Sequence, residues 1–163
     1  LICQADDLTI AGRKSGGISM TELSSMPGHL FRRVQQISTG IFADECDGFN
    51  LTSVQFAALF TIRANPGLDA TRLSSLIAFD RSTIGDVLER LEAKKWIRRR
   101  PSAQDKRVKL VYLASEGEKL LQAVEPAVER VQQRLLAPLS PESRETMMRL
   151  LTELVSLHSD PPA

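Results

Sequence analysis

The chain has 163 residues, 42% hydrophobic and 25% charged, an ordinary balance for one globular domain with a full-sized core. Aromatics make up only 5%, so Leu, Val, Ile and Ala must build that core, and no apolar run approaches the roughly 20 residues of a membrane span. The net charge of +1 points to no partner by itself, and residues 1–17 lack the basic-then-apolar order of a signal peptide, so a cytoplasmic protein is expected.

Residues 1–25 are rich in Gly, Ser and Thr without a period and read as a flexible tail. Pro27-Gly28 then opens a helix of about 20 residues. Its apolar positions Leu30, Val34, Ile37 and Ile41 form a seam suited to packing along another helix. Asp47-Gly48 ends it. Thr52 and Gln55 have the spacing of a capping box, and Phe56, Leu59 and Phe60 supply the buried face of the helix it opens. Asn65-Pro66-Gly67 stops that helix.

A short helix follows over residues 69–78, with Leu73, Leu76 and Ile77 inward. Phe79-Asp80 makes a tight turn, and Asp80 caps a helix with one apolar stripe of Ile84, Val87, Leu88 and Leu91. Lys94-Lys95 ends it at the negative pole of the helix dipole. Residues 96–100 and 108–113 read as two strands rich in β-formers, joined by a charged connection too long for a two-residue turn. Ser115 and Glu118 suggest a second capping box, opening a long helix with the stripe Leu121, Val124, Val128, Val131 and Leu135 and a bend at Pro126. Ser140-Pro141-Glu142 starts the last helix, lined by Met147, Leu150, Leu151, Leu154 and Leu157.

Charge is not spread evenly over this order. Residues 80–110 hold ten basic and five acidic side chains, a local +5 that leaves −4 for the rest of the chain. Such a patch is an electrostatic footprint for a polyanion. Two short helices joined by a tight turn, followed by a basic hairpin, form a winged helix-turn-helix, in which the second helix enters the major groove of duplex DNA. The fold class expected is therefore mainly α with a small β-hairpin wing and a helical dimerisation region. Residues 26–50 supply the first dimerisation helix, 51–113 the winged helix-turn-helix, and 114–158 the remaining dimerisation helices.

On the reading helix, Arg81 can fork onto a guanine, Ser82 and Thr83 can meet bases or phosphates, and Gly85 would let backbone approach DNA closely. Asp86 and Arg90 share its outward face. At the hairpin tip, Asp105, Lys106 and Arg107 form the second DNA element, with Arg107 suited to the narrow minor groove and Asp105 orienting it. Thr52, Ser53, Arg72 and Arg98 complete the expected DNA contacts. Cys3 and Cys46 have no metal-ligand spacing. There is no nucleophile elbow, no Gly-rich phosphate loop and no metal-spaced histidine pair, so neither an enzyme nor a cofactor is expected. Two other readings stay open: a winged-helix module that binds protein through a solvated basic hairpin, and redox sensing through Cys46.

The run Asp80-Arg81-Ser82-Thr83-Ile84, then Leu88-Glu89-Arg90-Leu91-Glu92 and Trp96-Ile97, then Arg98-Arg99-Arg100-Pro101-Ser102 and Asp105-Lys106-Arg107-Val108-Lys109-Leu110-Val111-Tyr112-Leu113, resembles the MarR (multiple antibiotic resistance regulator) family. The flanking helices extend the resemblance over about residues 26–158. It departs at Gly85-Asp86, where polar or basic residues are commoner. The resemblance implies an obligate homodimer, two reading helices about 34 Å apart on a pseudopalindrome, and release from DNA by a small effector. Pro27-Gly28-His29-Leu30-Phe31-Arg32-Arg33 is similar to the helix start of members that answer to aromatic carboxylates or their CoA thioesters. This makes His29, Arg32 and Arg33 the candidate effector residues, against a bland role in contacts between subunits.

Overall fold

The computed structural model describes residues 20–159, in the order α1 (Met20–Ser25), α2 (Pro27–Glu45), α3 (Ser53–Ala64), α4 (Ala70–Leu76), α5 (Arg81–Ala93), β1 (Ile97–Pro101), β2 (Lys109–Leu113), α6 (Ser115–Leu136) and α7 (Pro141–Ser159). Cys3 and the rest of residues 1–19 lie outside the described residues. The chain divides into two compact units, with the boundary between Gln35 and Gln36, inside α2. In the first, α1 forms within the stretch expected as a tail, and Ser25 Oγ donates to the Glu22 carbonyl (2.9 Å) to close its last turn. Leu30, Phe31 and Val34 of α2 are exposed.

The second unit holds the core. α3 opens as its sequence requires: Thr52 Oγ1 accepts from the Gln55 amide (3.2 Å), and the Thr52 amide donates to Gln55 Oε1 (3.3 Å), a reciprocal capping box. Its inward side buries Ala58, Leu59 and Ile62. Phe60, expected inward, is 47% exposed, because one residue beyond Leu59 the helix has already turned about 100° away from the core. Leu76 is likewise exposed, at the C-terminal end of the short α4, while Leu73 carries the burial.

The α4–α5 turn is built on Ala78 in the left-handed region (φ 54°), which lets the Phe79 amide donate back to the Ser74 carbonyl (3.1 Å). Asp80 then caps α5, whose stripe Ile84, Val87, Leu88 and Leu91 is buried as expected.

β1 and β2 pair antiparallel, with Ile97 opposite Leu113, Arg98 opposite Tyr112, Arg99 opposite Val111 and Arg100 opposite Leu110. Leu68 adds a bridge to Val111, so the segment after α3 ties directly into the hairpin. Because side chains alternate across a strand, Ile97, Arg99 and Val111 share the core face, and Arg98, Arg100 and Tyr112 the outer one.

α6 runs without interruption through Pro126. Its start differs from expectation. The N-cap is Ala114, and no side chain caps the turn, since the Ala114 amide is engaged by the Trp96 carbonyl (2.9 Å) and Glu118 turns toward Gln122 and Arg63. The hairpin packs so closely here that a Cβ on Gly117 would lie 2.2 Å from the Trp96 carbonyl oxygen and 2.8 Å from a Leu113 methyl. Near the other end of α6, Glu45 accepts from Arg130 and Arg134 (2.8 Å each), clamping the end of α2. These guanidiniums, Arg130 first, hold the Glu45 carboxyl below the usual range.

In α7, Leu150, Leu154, Val155 and Leu157 are exposed, and no residue of the helix whose side chain is described is buried.

The Gly117 contact makes a strong prediction. Gly117→Ala forces a methyl against a backbone carbonyl that cannot yield without moving the hairpin. It should destabilise the protein by about 1–3 kcal/mol despite alanine's better helix propensity, measured by denaturant unfolding.

Candidate nucleic-acid interface

The interface is assembled from α5, the hairpin and the N-terminal end of α4. At the start of α5, Asp80 accepts three hydrogen bonds: from Ser82 Oγ (2.6 Å), from Thr83 Oγ1 (2.6 Å) and from the Thr83 amide (2.8 Å). The Ser82 hydroxyl first, then those from Thr83, drive the Asp80 carboxyl far below the usual aspartate range. The hydroxyl protons of Ser82 and Thr83 are thus committed to Asp80, and what they offer outward is acceptor capacity. Ser82 is exposed and Thr83 half-buried.

At the other end of α5, Glu92 grips β1 at two points. Arg99 Nε donates to Oε2 (2.7 Å), and the Arg99 amide donates to Oε1 (3.2 Å). The Arg99 guanidinium holds the Glu92 carboxyl below its ordinary range, against the opposing effect of burial. This grip brings Arg99 to the recess between α4, α5 and the wing. Arg81 from the reading helix, Arg99 and Lys109 from the strands, and Arg107 from the tip line this space of 290 Å³, with Asp69 its one acid. Four cations and Asp69 thus line one recess beside α5, with Arg99 already paired to Glu92, an excess of positive charge of the kind that suits a phosphate backbone.

At the wing tip, Asp105 Oδ1 accepts from the Arg107 amide (2.9 Å). Asp105 therefore holds the loop backbone at Arg107. Asp105, Lys106 and Arg107 are all exposed.

The other expected DNA residues fall into place around this channel or away from it. Thr52 and Ser53 stand at the start of α3, and Arg72 is exposed on α4 with its amide held by Asp69 (2.8 Å). Asp86 and Arg90 lie on the exposed side of α5. Gly85 has no heavy atom within 4 Å of where a Cβ would stand, so nothing inside the chain demands glycine there. Arg98 is on the outer face of the wing, away from Arg99. Arg99 and Lys109 escaped the sequence reading of the site, although strand parity with the buried Ile97 and Val111 assigns both to the core face. Lys94 is internal scaffolding: Nζ donates to the Asn50 carbonyl (2.6 Å) and lies 4.4 Å over the Trp96 ring.

His29, Arg32 and Arg33 lie on the opening turns of α2, His29 half-buried and the arginines exposed, with His29 and Arg33 four apart on one side of the helix. Within the second unit, α3 and α6 enclose a cleft of 170 Å³ walled by Phe56, Phe60, Leu121 and Val128, with Arg63 among the lining residues and stacked 4.9 Å over Phe60. Cys46 is 3% exposed, and burial, then the Glu45 charge, push its thiol pKa up. That is the opposite of what an activated sensor thiol needs.

Comparison with known proteins bears on this arrangement. Residues 51–109, from the approach to α3 to the first residue of β2, match the MarR family. The chain is 31% identical over 128 residues to the transcriptional regulator HosA of Escherichia coli O127:H6, covering 78% of this chain and 93% of HosA. Among solved structures, it resembles BpsR of Bordetella bronchiseptica, whose DNA binding is regulated by 6-hydroxynicotinic acid, at 30% identity and a TM-score of 0.74 over 78% of this chain and 97% of BpsR. It also resembles the transcriptional repressor CouR bound to a 23-mer DNA duplex, at 26% identity and a TM-score of 0.75 over 86% and 99% of the two chains.

The Asp80 cap carries a pH signature. Because its folded pKa is depressed, its contribution to stability is complete above the ordinary aspartate range and is lost as pH falls through the folded value. In an NMR titration, the Asp80 carboxyl should remain ionised at about pH 3, where solvated aspartates with a pKa of about 3.9 are mostly protonated. Titration alongside them would disprove the three hydrogen bonds to Asp80 at the cap.

Proposed function

Because the chain belongs to the MarR family of DNA-binding transcription regulators, we propose that it acts as a homodimeric repressor that leaves a pseudopalindromic operator when a small aromatic acid binds. The observation that carries the DNA reading is the shared recess: Arg81 of the reading helix and Arg99, Arg107 and Lys109 of the wing line one channel. α5 lies in the major groove with Arg81, Ser82 and the open Gly85 foremost, and Arg107 reaches the adjoining minor groove. Arg99 and Lys109 neutralise the phosphates between them.

The exposed apolar residues support the dimer. Leu30, Phe31 and Val34 on α2, and Leu150, Leu154 and Leu157 on α7, are costly to leave in water. Pairing about a two-fold axis buries them and sets the two reading helices about one DNA turn apart, roughly 34 Å.

The effector occupies the α3–α6 cleft, its ring against Phe56, Phe60, Leu121 and Val128 and its carboxylate toward Arg63. Glu125 and Glu129 on the same cleft disfavour a second negative charge, which selects a monocarboxylate. The regulation of BpsR by 6-hydroxynicotinic acid supports an aromatic acid as the class. His29 and Arg33, with Arg32 beside them, are the second candidate clamp, and a CoA thioester is the alternative ligand. A ligand that prefers a different spacing of the reading helices shifts the dimer off DNA.

Two measurements test this reading. Arg107→Ala should lower affinity for a duplex selected from a random pool by roughly tenfold to a hundredfold at matched salt, with the dimer intact by sedimentation. Unchanged affinity would remove the wing from the interface. In a DNA-release titration with aromatic acids, Arg63→Ala should raise the effector concentration needed by about tenfold or more. A normal response in Arg63→Ala together with a lost response in His29→Ala and Arg33→Ala would move the clamp to α2.

A further inference from the structure

The outer face of the wing carries a cationic recess that the DNA channel does not use. Strand alternation places Arg98, Arg100 and Tyr112 there together, opposite the face that carries Arg99 and Lys109. Ile62, Arg63 and Pro66 at the end of α3 form one wall, and Glu118 of α6 stands at the rim, around a space of 250 Å³.

Its charge is not balanced from within. Arg63 reaches Glu118 only at 3.8 Å. Arg100 lies 5.9 Å over the Tyr112 ring. The Arg98 side chain has no ion pair or hydrogen bond among the described residues. Three guanidiniums therefore face one carboxylate, a local charge of +2 in a partly enclosed space where repulsion is less screened than in bulk water. Guanidinium forks suit oxyanions held by paired hydrogen bonds, and the Tyr112 hydroxyl adds a neutral donor.

We propose that Arg63, Arg98, Arg100 and Tyr112 form an anion site for a small dianion, a phosphomonoester or a dicarboxylate, separate from the DNA channel. The recess has room for a small ligand such as these. The +2 balance selects a dianion over a monoanion. Duplex backbone is the less suitable occupant, because Arg81 and Arg107 line a recess with the opposite face of the hairpin. An occupant here would compete with Glu118 for Arg63, which also lines the α3–α6 cleft.

Isothermal titration of the full chain with inorganic phosphate and with succinate, at fixed ionic strength in chloride, tests the site. Saturable binding of either supports it, and the pair of titrations assigns it to phosphate, to dicarboxylates or to both. The double variant Arg98→Gln, Arg100→Gln should weaken that binding by about tenfold or more, and Glu118→Gln should strengthen it by roughly threefold or more. Arg100→Gln alone should change affinity for the selected duplex by less than about threefold. Absence of saturable binding by both anions overturns the proposal. So does a loss of duplex affinity in Arg100→Gln as large as in Arg107→Ala, which would make this face part of the operator contact. Because the readout is anion binding, its failure leaves the repressor reading intact, and failure of that reading leaves this site standing.

Discussion

The two-point grip of Glu92 on Arg99 sets the geometry on which the functional surface depends. One carboxylate at the end of the reading helix accepts from both the side chain and the backbone of the first wing strand. A single side-chain pair would leave the strand free to slide or roll. The added backbone bond sets its register against α5, and strand alternation then dictates everything else about the hairpin. Arg99 and Lys109 turn to the α5 side, and Arg98, Arg100 and Tyr112 turn away. One basic run, Arg98-Arg99-Arg100, thereby alternates between the two faces of the hairpin.

The same hairpin is pinned from behind by α6. Trp96 gives its carbonyl to the Ala114 amide, and Gly117 lets the helix approach to a distance no other residue allows. Further along α6, Arg130 and Arg134 hold Glu45 at the end of α2. α6 is therefore a single rigid element in contact with the wing at one end and with α2 toward the other. α3 plays a parallel part: Phe56 and Phe60 wall the cleft, and the segment just after the helix bridges Val111 through Leu68. The cleft between α3 and α6 therefore adjoins both elements that support the wing.

Much of this was legible in residue order because the signals are local. A capping box, a proline-glycine stop and a stripe of Ile84, Val87, Leu88 and Leu91 each report on one stretch of backbone, and each appears in the structure. The readings that changed were those decided by a neighbour distant in sequence. Ser115 has the spacing of a cap, yet Trp96 satisfies the turn before it and Glu118 turns elsewhere. Phe60 looked like core, and the packing of α6 beside α3 leaves it to wall a cleft instead. Residues 20–25 read as tail because six residues are too few to show a helical period.

By itself, the sequence determined the order of elements from residue 27 onward, the winged helix-turn-helix, the helix beginning at Arg81 and the wing tip at Asp105, Lys106 and Arg107. These follow from backbone propensity, hydrophobic period and charge, which need no partner to be expressed. Only the tertiary structure decided which cations lie together. It joined Arg99 and Lys109 to Arg81 and Arg107, removed Lys94 into the scaffold and turned Arg98 to the far face. A charge's role depends on what lies within a few ångströms of it, and those neighbours are brought by folding from positions far apart in the chain.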